Sequence, residues 1–360
     1  MHLFFLYNIC NFKLYVMNRI LEMKYGLDDY VIVPEVETDI VSRTAECNPC
    51  YGEIGDAVMD NKLPLFVAPM CCVLNETNWK KFSDAGLCPV IPRTVSINIR
   101  KVLWTDAFVA VGLKELEEIV NEIQPAENSG IIHICLDIAN GHMRAAMDLC
   151  RRLREKLGCN VSIMAGNIAN PKTILLYEES GIDYARLSIG TGNVCTTSAN
   201  VGVHYPIGSL IYECNELRNK HNLKIKLIAD GGIKNTDHIN KALALGADYC
   251  MLGEIMAKTE EACGDIIPDM SYTKRIYREY YGMSTKKAQM KMGKTAEECR
   301  TAEGIIKSVQ VEYSLDKWVD NFKHYLRSAM SYTNCRELKE FIGGPTLTIQ
   351  SPMTYTGYKK

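Results

Sequence analysis

The sequence lacks a strong net charge of either sign. Its 360 residues include 41 Lys and Arg against 43 Asp and Glu, which leaves a formal net charge of −2. It has no long run of basic residues, and such a balance provides no overall positive field to attract a nucleic acid. We therefore predict a protein without a nucleic-acid partner.

The sequence also lacks an unbroken apolar run long enough for a membrane span. Residues 1–16 (MHLFFLYNICNFKLYV) are apolar but interrupted, and they have neither a basic start nor a small-residue cleavage site. We expect them to be an extension without function, with Met17 as the true start; a membrane-touching tail is the alternative. The prediction is a protein without a membrane partner.

Cysteine is abundant but follows no metal-binding or disulfide pattern. The 15 cysteines are scattered along a long chain without a convincing export signal, which predicts reduced thiols and a cytoplasmic location. Cys47-Asn-Pro-Cys50 is a lone CxxC without a second pair or nearby histidines. Two incidental loop thiols are therefore a simpler interpretation than a metal or redox site.

Eight short apolar runs recur from residue 63 onward, most of them separated by segments with helical periodicity. Continuous apolar character is typical of parallel strands that are covered on both faces. Eight such units favour an α/β protein with a (β/α)8 TIM barrel, and no G-x-G-x-x-G follows an early strand to support a doubly wound dinucleotide fold. The predicted strands are 63–68, 88–91, 107–112, 131–136, 161–165, 183–189, 225–229 and 248–252.

The rest of the chain fits a single catalytic domain over residues 17–345, without an inserted regulatory domain. An amphipathic helix is predicted at 316–331, and residues 346–360 have the composition of a loose tail. A polar, Lys-rich stretch adds little to the core, so we interpret residues 282–304 as a mobile flap over the barrel mouth. A plain surface excursion is the alternative.

The residues after the predicted strands suggest where the active site lies, because barrels place it at the carboxyl ends of their strands. Cys195 follows Gly190 and Gly192 on a polar loop, where a thiol can act as a nucleophile; a buried structural cysteine is the alternative. Asp230-Gly-Gly232 and Gly253 follow the seventh and eighth strands. Loops in those two places often hold phosphate, which predicts a phosphate site; simple glycine turns are the alternative.

Several motifs, in this order and spacing, resemble the IMP dehydrogenase/GMP reductase family over about residues 25–340. They are Ile134-Cys-Leu-Asp-Ile-Ala-Asn-Gly141, Ile163-Met-Ala-Gly-Asn167, Ile189-Gly-Thr-Gly-Asn-Val-Cys-Thr-Thr197, Ile228-Ala-Asp-Gly-Gly232, Tyr281-Gly-Met-Ser284 and Arg300-Thr-Ala-Glu-Gly304. The reductase branch is the more similar one, because residues 285–300 contain no Arg-Tyr pair of the kind that activates water in the dehydrogenases.

The resemblance implies an oxidoreductase that converts GMP to IMP and ammonia with NADPH, through a covalent thioimidate on Cys195. It also implies a monovalent cation, K⁺ by the family's usual choice, and a homotetramer. Three alternatives remain: an IMP dehydrogenase without its regulatory domain, a catalytically silent purine-nucleotide-binding barrel, and a barrel that acts on another phosphorylated ligand.

The resemblance also assigns roles to individual residues. Cys195 would attack C2 of the purine, while Thr197 and Glu303 would handle protons on the leaving ammonia. Main-chain ligands of the cation would come from Gly190, Gly192 and Cys195. Substrate contacts would come from Asp230, Gly231, Gly232, Gly253, Glu254, Gly282, Met283, Ser284, Arg300 and Gly304. Cofactor contacts would come from Ser42, Arg43, Arg93, Asp137, Ile138, Ala139, Ile189 and Gly190.

The sequence departs from the reductase pattern at three places. Pro92-Arg93 stands where a His-Lys pair is usual, and Ser198 replaces an arginine. Glu254 stands where a small residue is usual, beside the predicted phosphate site. A carboxylate beside a phosphate is repulsive unless it points away.

Overall fold

The computed structural model describes residues 22–124, 130–268, 275–299 and 304–351. Eight of its strands, β2 to β9, close into a parallel barrel in sequence order, which confirms the predicted (β/α)8 barrel. In chain order the strands are β1 (Tyr30–Ile32), β2 (Leu65–Val67), β3 (Cys88–Ile91), β4 (Phe108–Val111), β5 (Ile132–Asp137), β6 (Val161–Ile168), β7 (Tyr184–Leu187), β8 (Lys226–Asp230), β9 (Tyr249–Leu252), β10 (Ile266–Ile267), β11 (Tyr277–Tyr281), β12 (Ile306–Gln310) and β13 (Leu347–Ile349).

Helices follow most of the barrel strands and cover their outer faces. Their apolar residues recur at helical spacing, and in the helix after β5 those residues are buried while its charged residues face outward. In chain order they are α1 (Arg43–Glu46), α2 (Trp79–Asp84), α3 (Ile97–Leu103), α4 (Leu113–Glu122), α5 (Arg144–Leu157), α6 (Thr173–Glu179), α7 (Thr197–Val201), α8 (Ile207–His221), α9 (Thr236–Ala244), α10 (Glu254–Ala257), α11 (Lys286–Lys291), α12 (Leu315–Tyr332) and α13 (Leu338–Phe341).

None of the helices in the described ranges is both long and apolar enough to cross a bilayer.

The inside of the barrel is a packed core and not a channel. Phe66, Phe108, Tyr184 and Tyr249 come from four different strands, and their rings contact one another with centroids 5.0–5.9 Å apart. Met59, from the segment before β2, is fully buried in the same cluster. This filling leaves the carboxyl ends of the strands as the place for a site.

Helix α3 lies in a segment whose sequence suggests a polar connection. The hydroxyl of Ser96 accepts a hydrogen bond from the Ile99 amide and begins the helix. Arg100 makes the segment look polar, yet its guanidinium is buried and donates to the Ala110 carbonyl and to Glu115. Those partners lie 10 and 15 residues further along the chain, on β4 and α4, so Arg100 looks exposed until that strand and helix are placed.

A small antiparallel sheet of β10, β11 and β12 stands beside the barrel. Tyr281 at the end of β11 pairs with Ile306 at the start of β12, so residues 282–305 leave and return at one point. The segment predicted as a flap therefore has a paired, two-stranded base. Mobility of the flap stays a prediction.

The C-terminal residues begin with an ordered strand. β13 pairs antiparallel with β1, with Tyr30 opposite Ile349 and Ile32 opposite Leu347. Residues 347–349 thus differ from the loose tail suggested by their composition, because the strand that pairs with them lies more than 300 residues earlier in the chain. Residues 352–360, and 1–21 at the other end, lie outside the described residues.

A buried hydrogen-bonded pair of a histidine and a carboxylate lies near the amino ends of the strands. His133 of β5 places Nε2 3.0 Å from both carboxylate oxygens of Asp56, and its Nδ1 lies 3.1 Å from the Trp104 carbonyl oxygen. Burial alone would raise the pKa of Asp56, but the bonds from His133 and from the amide of Val58 hold that pKa below its ordinary value.

We expect Asp56→Asn to lower the free energy of unfolding by about 1–3 kcal/mol near neutral pH, because a neutral amide is a weaker acceptor than the carboxylate for the buried His133 Nε2 and the Val58 amide. The lowered folded pKa means that the stabilisation is present above the unfolded aspartate pKa, about 3.9, and is lost as the pH falls through the folded value. Urea unfolding at neutral and acidic pH measures both effects. Exposed Asp106→Asn is the control, and an equal loss in both variants would refute the prediction.

Candidate active site

Cys195 lies on the loop that follows β7, at the carboxyl end of the barrel. Its side chain is half-buried, and its thiol donates a hydrogen bond to Thr197 Oγ1 at 3.3 Å. The Cys195 amide donates to the Gly192 carbonyl at 3.0 Å, which closes the loop into a tight turn. The turn directs the thiol and the hydroxyl of Thr197 toward each other at the start of α7.

The environment of Cys195 differs from that of the cysteines inside the fold. Burial raises the pKa of Cys135 and of Cys150 to about 12, so these thiols stay protonated at neutral pH. Cys195 instead lies half-exposed among polar residues at the barrel mouth. Its position suits a thiol that must reach a ligand.

The far end of the flap segment packs directly on this loop. Gly304 and Cys195 form an antiparallel bridge, and the Ile305 amide donates to the Val194 carbonyl at 3.0 Å. A Cβ on Gly304 would lie 2.9 Å from Thr285 Cγ2 and 3.1 Å from Ser284 Oγ, so only glycine fits there. Both ends of the flap therefore meet beside Cys195.

Two predicted residues of the flap fall in a gap: Arg300 and the predicted acid Glu303 lie outside the described residues. Among their predicted partners, Gly282 lies close to the cysteine loop, since a Cβ there would be 3.6 Å from Val194 Cγ2. Met283 is half-buried and packs against the core.

A buried arginine joins the two predicted aspartates. Arg186 of β7 donates to Asp137 at 2.6 Å and to Asp230 at 2.9 Å, and Asn167 also donates to Asp230 at 2.7 Å. Burial alone would lower the pKa of Arg186, but the charges of Asp230 and Asp137 raise it well above its ordinary value. The guanidinium is therefore a permanent cation that orients both carboxylates.

Sequence reasoning missed the role of Arg186, although a signal was present. A charged residue in the middle of a short apolar strand needs a buried partner. Gly166 of β6 makes the contact possible, because a Cβ there would lie 2.5 Å from Arg186 Cβ.

The predicted phosphate loops lie next to the cysteine loop. Gly231 and Gly232 have φ values of +108° and +74°, which favour glycine. A Cβ on Gly231 would lie 3.0 Å from Thr191 Oγ1 and 3.1 Å from Ser188 Oγ. The structure thus brings the predicted phosphate residues and the predicted nucleophile together.

The loop after β9 completes this side of the mouth. A Cβ on Gly253 would lie 2.6 Å from the hydroxyl oxygen of Tyr280, a buried residue of β11 that sequence reasoning did not single out. Glu254 accepts a hydrogen bond from Asn193 of the cysteine loop at 2.8 Å. The carboxylate therefore points along the mouth toward the cysteine loop.

The predicted cofactor residues fall into two groups. Arg93 follows β3 and lies 3.4 Å from Glu115, and Ile138 and Ala139 follow β5 with their side chains partly or fully exposed. These residues, with Asp137, lie at the mouth. Ser42 and Arg43 instead lie at α1, where Arg43 donates to Ser328 of α12 at 2.8 Å.

The predicted cation ligands lie in one turn. The Gly192 carbonyl accepts the Cys195 amide, and the Gly190 carbonyl accepts the hydroxyl of Ser198 at 2.9 Å. Gly190 has a φ of +77° and packs against Ser198, where a Cβ would lie 2.9 Å from the Ser198 amide nitrogen. Ser198, one of the departures from the family pattern, thus supports this turn, and Ile189 precedes it.

The fold and the site define a (β/α)8 barrel with a thiol, two oriented aspartates and glycine-rich loops at one mouth. A family model described as "IMP dehydrogenase / GMP reductase domain" matches residues 99–356. The chain belongs to this family.

Three relatives are named GMP reductase. A GMP reductase of Onchocerca volvulus is 34% identical over 228 residues, covering 63% of this chain and 59% of that protein. A GMP reductase of Caenorhabditis elegans is 33% identical over 208 residues, covering 58% and 56%. The chain therefore spans less than two thirds of these relatives. A GMP reductase of Buchnera aphidicola subsp. Acyrthosiphon pisum (strain Tuc7) is 26% identical over 352 residues, covering 94% and 99%.

We expect Arg186→Met to lower the free energy of unfolding by about 3–5 kcal/mol, because it leaves two carboxylates facing each other without a cation. Arg186→Lys keeps the charge but cannot donate to both aspartates in the same way. It should therefore lower the free energy of unfolding by less than Arg186→Met does. Urea unfolding measures both. Arg151→Met, which removes an exposed pair with Asp148, is the matched control and should cost about 0–1 kcal/mol. Equal losses at positions 186 and 151 would contradict the assigned role.

Proposed function

We propose that this protein is a GMP reductase, which replaces the 2-amino group of GMP by hydrogen and releases IMP and ammonia. The observation that carries the proposal is the Cys195 loop, which is bridged to Gly304 of the flap and packed against the Gly231-Gly232 loop. Membership of the family and the names of its relatives support the choice of reaction.

Cys195 is the proposed nucleophile. Its sulfur attacks C2 of the purine, and the C2–N bond breaks to leave a thioimidate on the enzyme. A thiolate suits this step because it attacks an amidine-like carbon readily and can leave later. The half-buried position of Cys195 supports this role, since the sulfur must reach the purine ring.

The amino group departs only after it gains a proton, so an acid must be within reach. Thr197 contacts the Cys195 sulfur, but a hydroxyl alone is too weak an acid. We propose that Glu303 supplies the proton through Thr197. Glu303 precedes Gly304 in the chain, and the bridge between Gly304 and Cys195 supports this assignment.

We propose NADPH as the cofactor. The mouth beside β3, β4 and β5 fits such a group, because Arg93 brings a cation there. Its buried Nε makes no hydrogen bond among the described residues, although the Glu115 carboxylate lies 3.4 Å away as its ion-pair partner. Arg93, Ile138 and Ala139 would contact it, with Asp137 oriented by Arg186. When bound, the reduced nicotinamide supplies the hydride that C2 gains. For Ser42 and Arg43 the contact remains a proposal from family resemblance.

We also propose a monovalent cation, K⁺, held by the main-chain oxygens of Gly190, Gly192 and Cys195. Two of these oxygens already accept one hydrogen bond each, and a carbonyl oxygen has a second lone pair for a cation. The tight turn between Gly192 and Cys195 keeps these two residues close together, which supports binding of one cation by both of them.

A cytoplasmic homotetramer completes the proposal. Every cysteine in the described part of the chain carries a free thiol, which supports a reducing compartment. The homotetramer rests on the family resemblance.

Cys195→Ala should lower the turnover of GMP by at least about 1,000-fold, because no other group forms the covalent bond. GMP should still bind, since the glycine loops are intact. The loss of NADPH absorbance measures turnover, and calorimetry measures binding. Cys159→Ala, at an exposed thiol, is the control. Consumption of IMP and NAD in place of GMP and NADPH would move the protein to the dehydrogenase branch.

Glu303→Gln should lower kcat for ammonia release by about 100-fold and change KM little, because the amide cannot donate the required proton. Steady-state kinetics with an ammonia assay separates the two parameters. Glu298→Gln is the matched control. This flap carboxylate is exposed and accepts a hydrogen bond from the Thr295 amide. Normal turnover in Glu303→Gln would refute the assigned role.

A further inference from the structure

A hydrogen bond joins two loops that flank the predicted phosphate loop after β8. Asn193 lies on the loop after β7 and Glu254 follows β9, and Asn193 Nδ2 donates to Glu254 Oε2 at 2.8 Å. β7, β8 and β9 are consecutive neighbours in the barrel. The bonded pair therefore joins the two loops that flank the Gly231-Gly232 loop after β8.

The carboxylate of Glu254 has no ion-pair partner in the part of the chain that the structure describes. The nearby Asp230 is bound to Arg186, whose charge is also shared with Asp137. Tyr280 lies over Gly253, and burial, with the charges of Glu254 and Asp230 among its neighbours, raises the pKa of its hydroxyl. The Tyr280 hydroxyl thus stays protonated and contributes no charge.

Glycine-rich loops attract a phosphate because their amides are donors without competing charge. In this chain a carboxylate already lies on that side of the mouth, held in place by Asn193. Like charges a few ångströms apart repel strongly where water is partly excluded. A phosphate dianion that entered here would therefore lose much of the binding that the loops provide.

We propose that Glu254 determines substrate specificity by disfavouring the 5′-phosphate, so that the protein takes the unphosphorylated guanine nucleoside almost as well as GMP. The inference rests on the proposed function for the guanine part of the ligand. The uncharged 5′-hydroxyl of guanosine meets no repulsion and can donate a hydrogen bond to the carboxylate.

Glu254→Gln tests the charge directly, because glutamine has the same shape and keeps an acceptor for Asn193. We expect wild-type protein to bind GMP less than about tenfold more tightly than guanosine. Glu254→Gln should bind GMP about 10- to 100-fold more tightly than wild type, with guanosine unchanged. Calorimetry without NADPH measures both ligands without turnover.

The control is Glu118→Gln on α4. It removes the same charge from an exposed side chain that lies 4.0 Å from Lys114, so it reports any effect of net charge alone. Inorganic phosphate is a third probe, which does not depend on purine binding, and Glu254→Gln should bind it more tightly than wild type.

The outcomes separate the inference from the proposed function. Equal GMP binding by wild type and Glu254→Gln, far above guanosine binding, would overturn the role of Glu254 and leave the proposed function in place. No binding of either purine ligand by any variant would overturn both. Tighter binding of GMP and of inorganic phosphate by Glu254→Gln, but not by Glu118→Gln, would support the inference.

Discussion

Arg186 carries a buried positive charge between Asp137 and Asp230, at the carboxyl end of the barrel. The strand register makes this contact possible: Asp137 of β5 pairs with Gly166 of β6, and Gly166 pairs with Arg186 of β7. A side chain at position 166 would occupy the space that the arginine crosses. Because two buried carboxylates would repel without a cation, the positions of Asp137 and Asp230 at the mouth depend on this one guanidinium.

This arrangement determines how charge is distributed around the site. Arg186 serves both aspartates, one on the proposed cofactor side and one on the proposed ribose side, and orients them together. Glu254 has only the neutral Asn193 as its described partner. The mouth thus combines two acids that share one cation with a third acid, Glu254, whose described side-chain partner is neutral.

Much of the fold follows from local sequence, and the exceptions share one cause. The eight barrel strands are apolar runs with helices between them, so their order alone predicts the barrel. Helix α3 was not predicted, because Arg100 looks solvent-exposed until its partners on β4 and α4 are known. β13 was not predicted, because its pairing partner β1 lies at the other end of the chain. In each case the decisive contact is with a residue outside the element itself.

The sequence by itself determined the barrel class, the positions of the strands and the motif that contains Cys195, because strand periodicity and glycine-rich turns are local properties of the chain. The tertiary structure alone decided that Arg186 joins Asp137 to Asp230, that Gly304 lies against Cys195, and that Glu254 turns toward Asn193. These contacts join residues from different strand–helix units, and closure of the barrel is the physical step that brings the carboxyl ends of those units together.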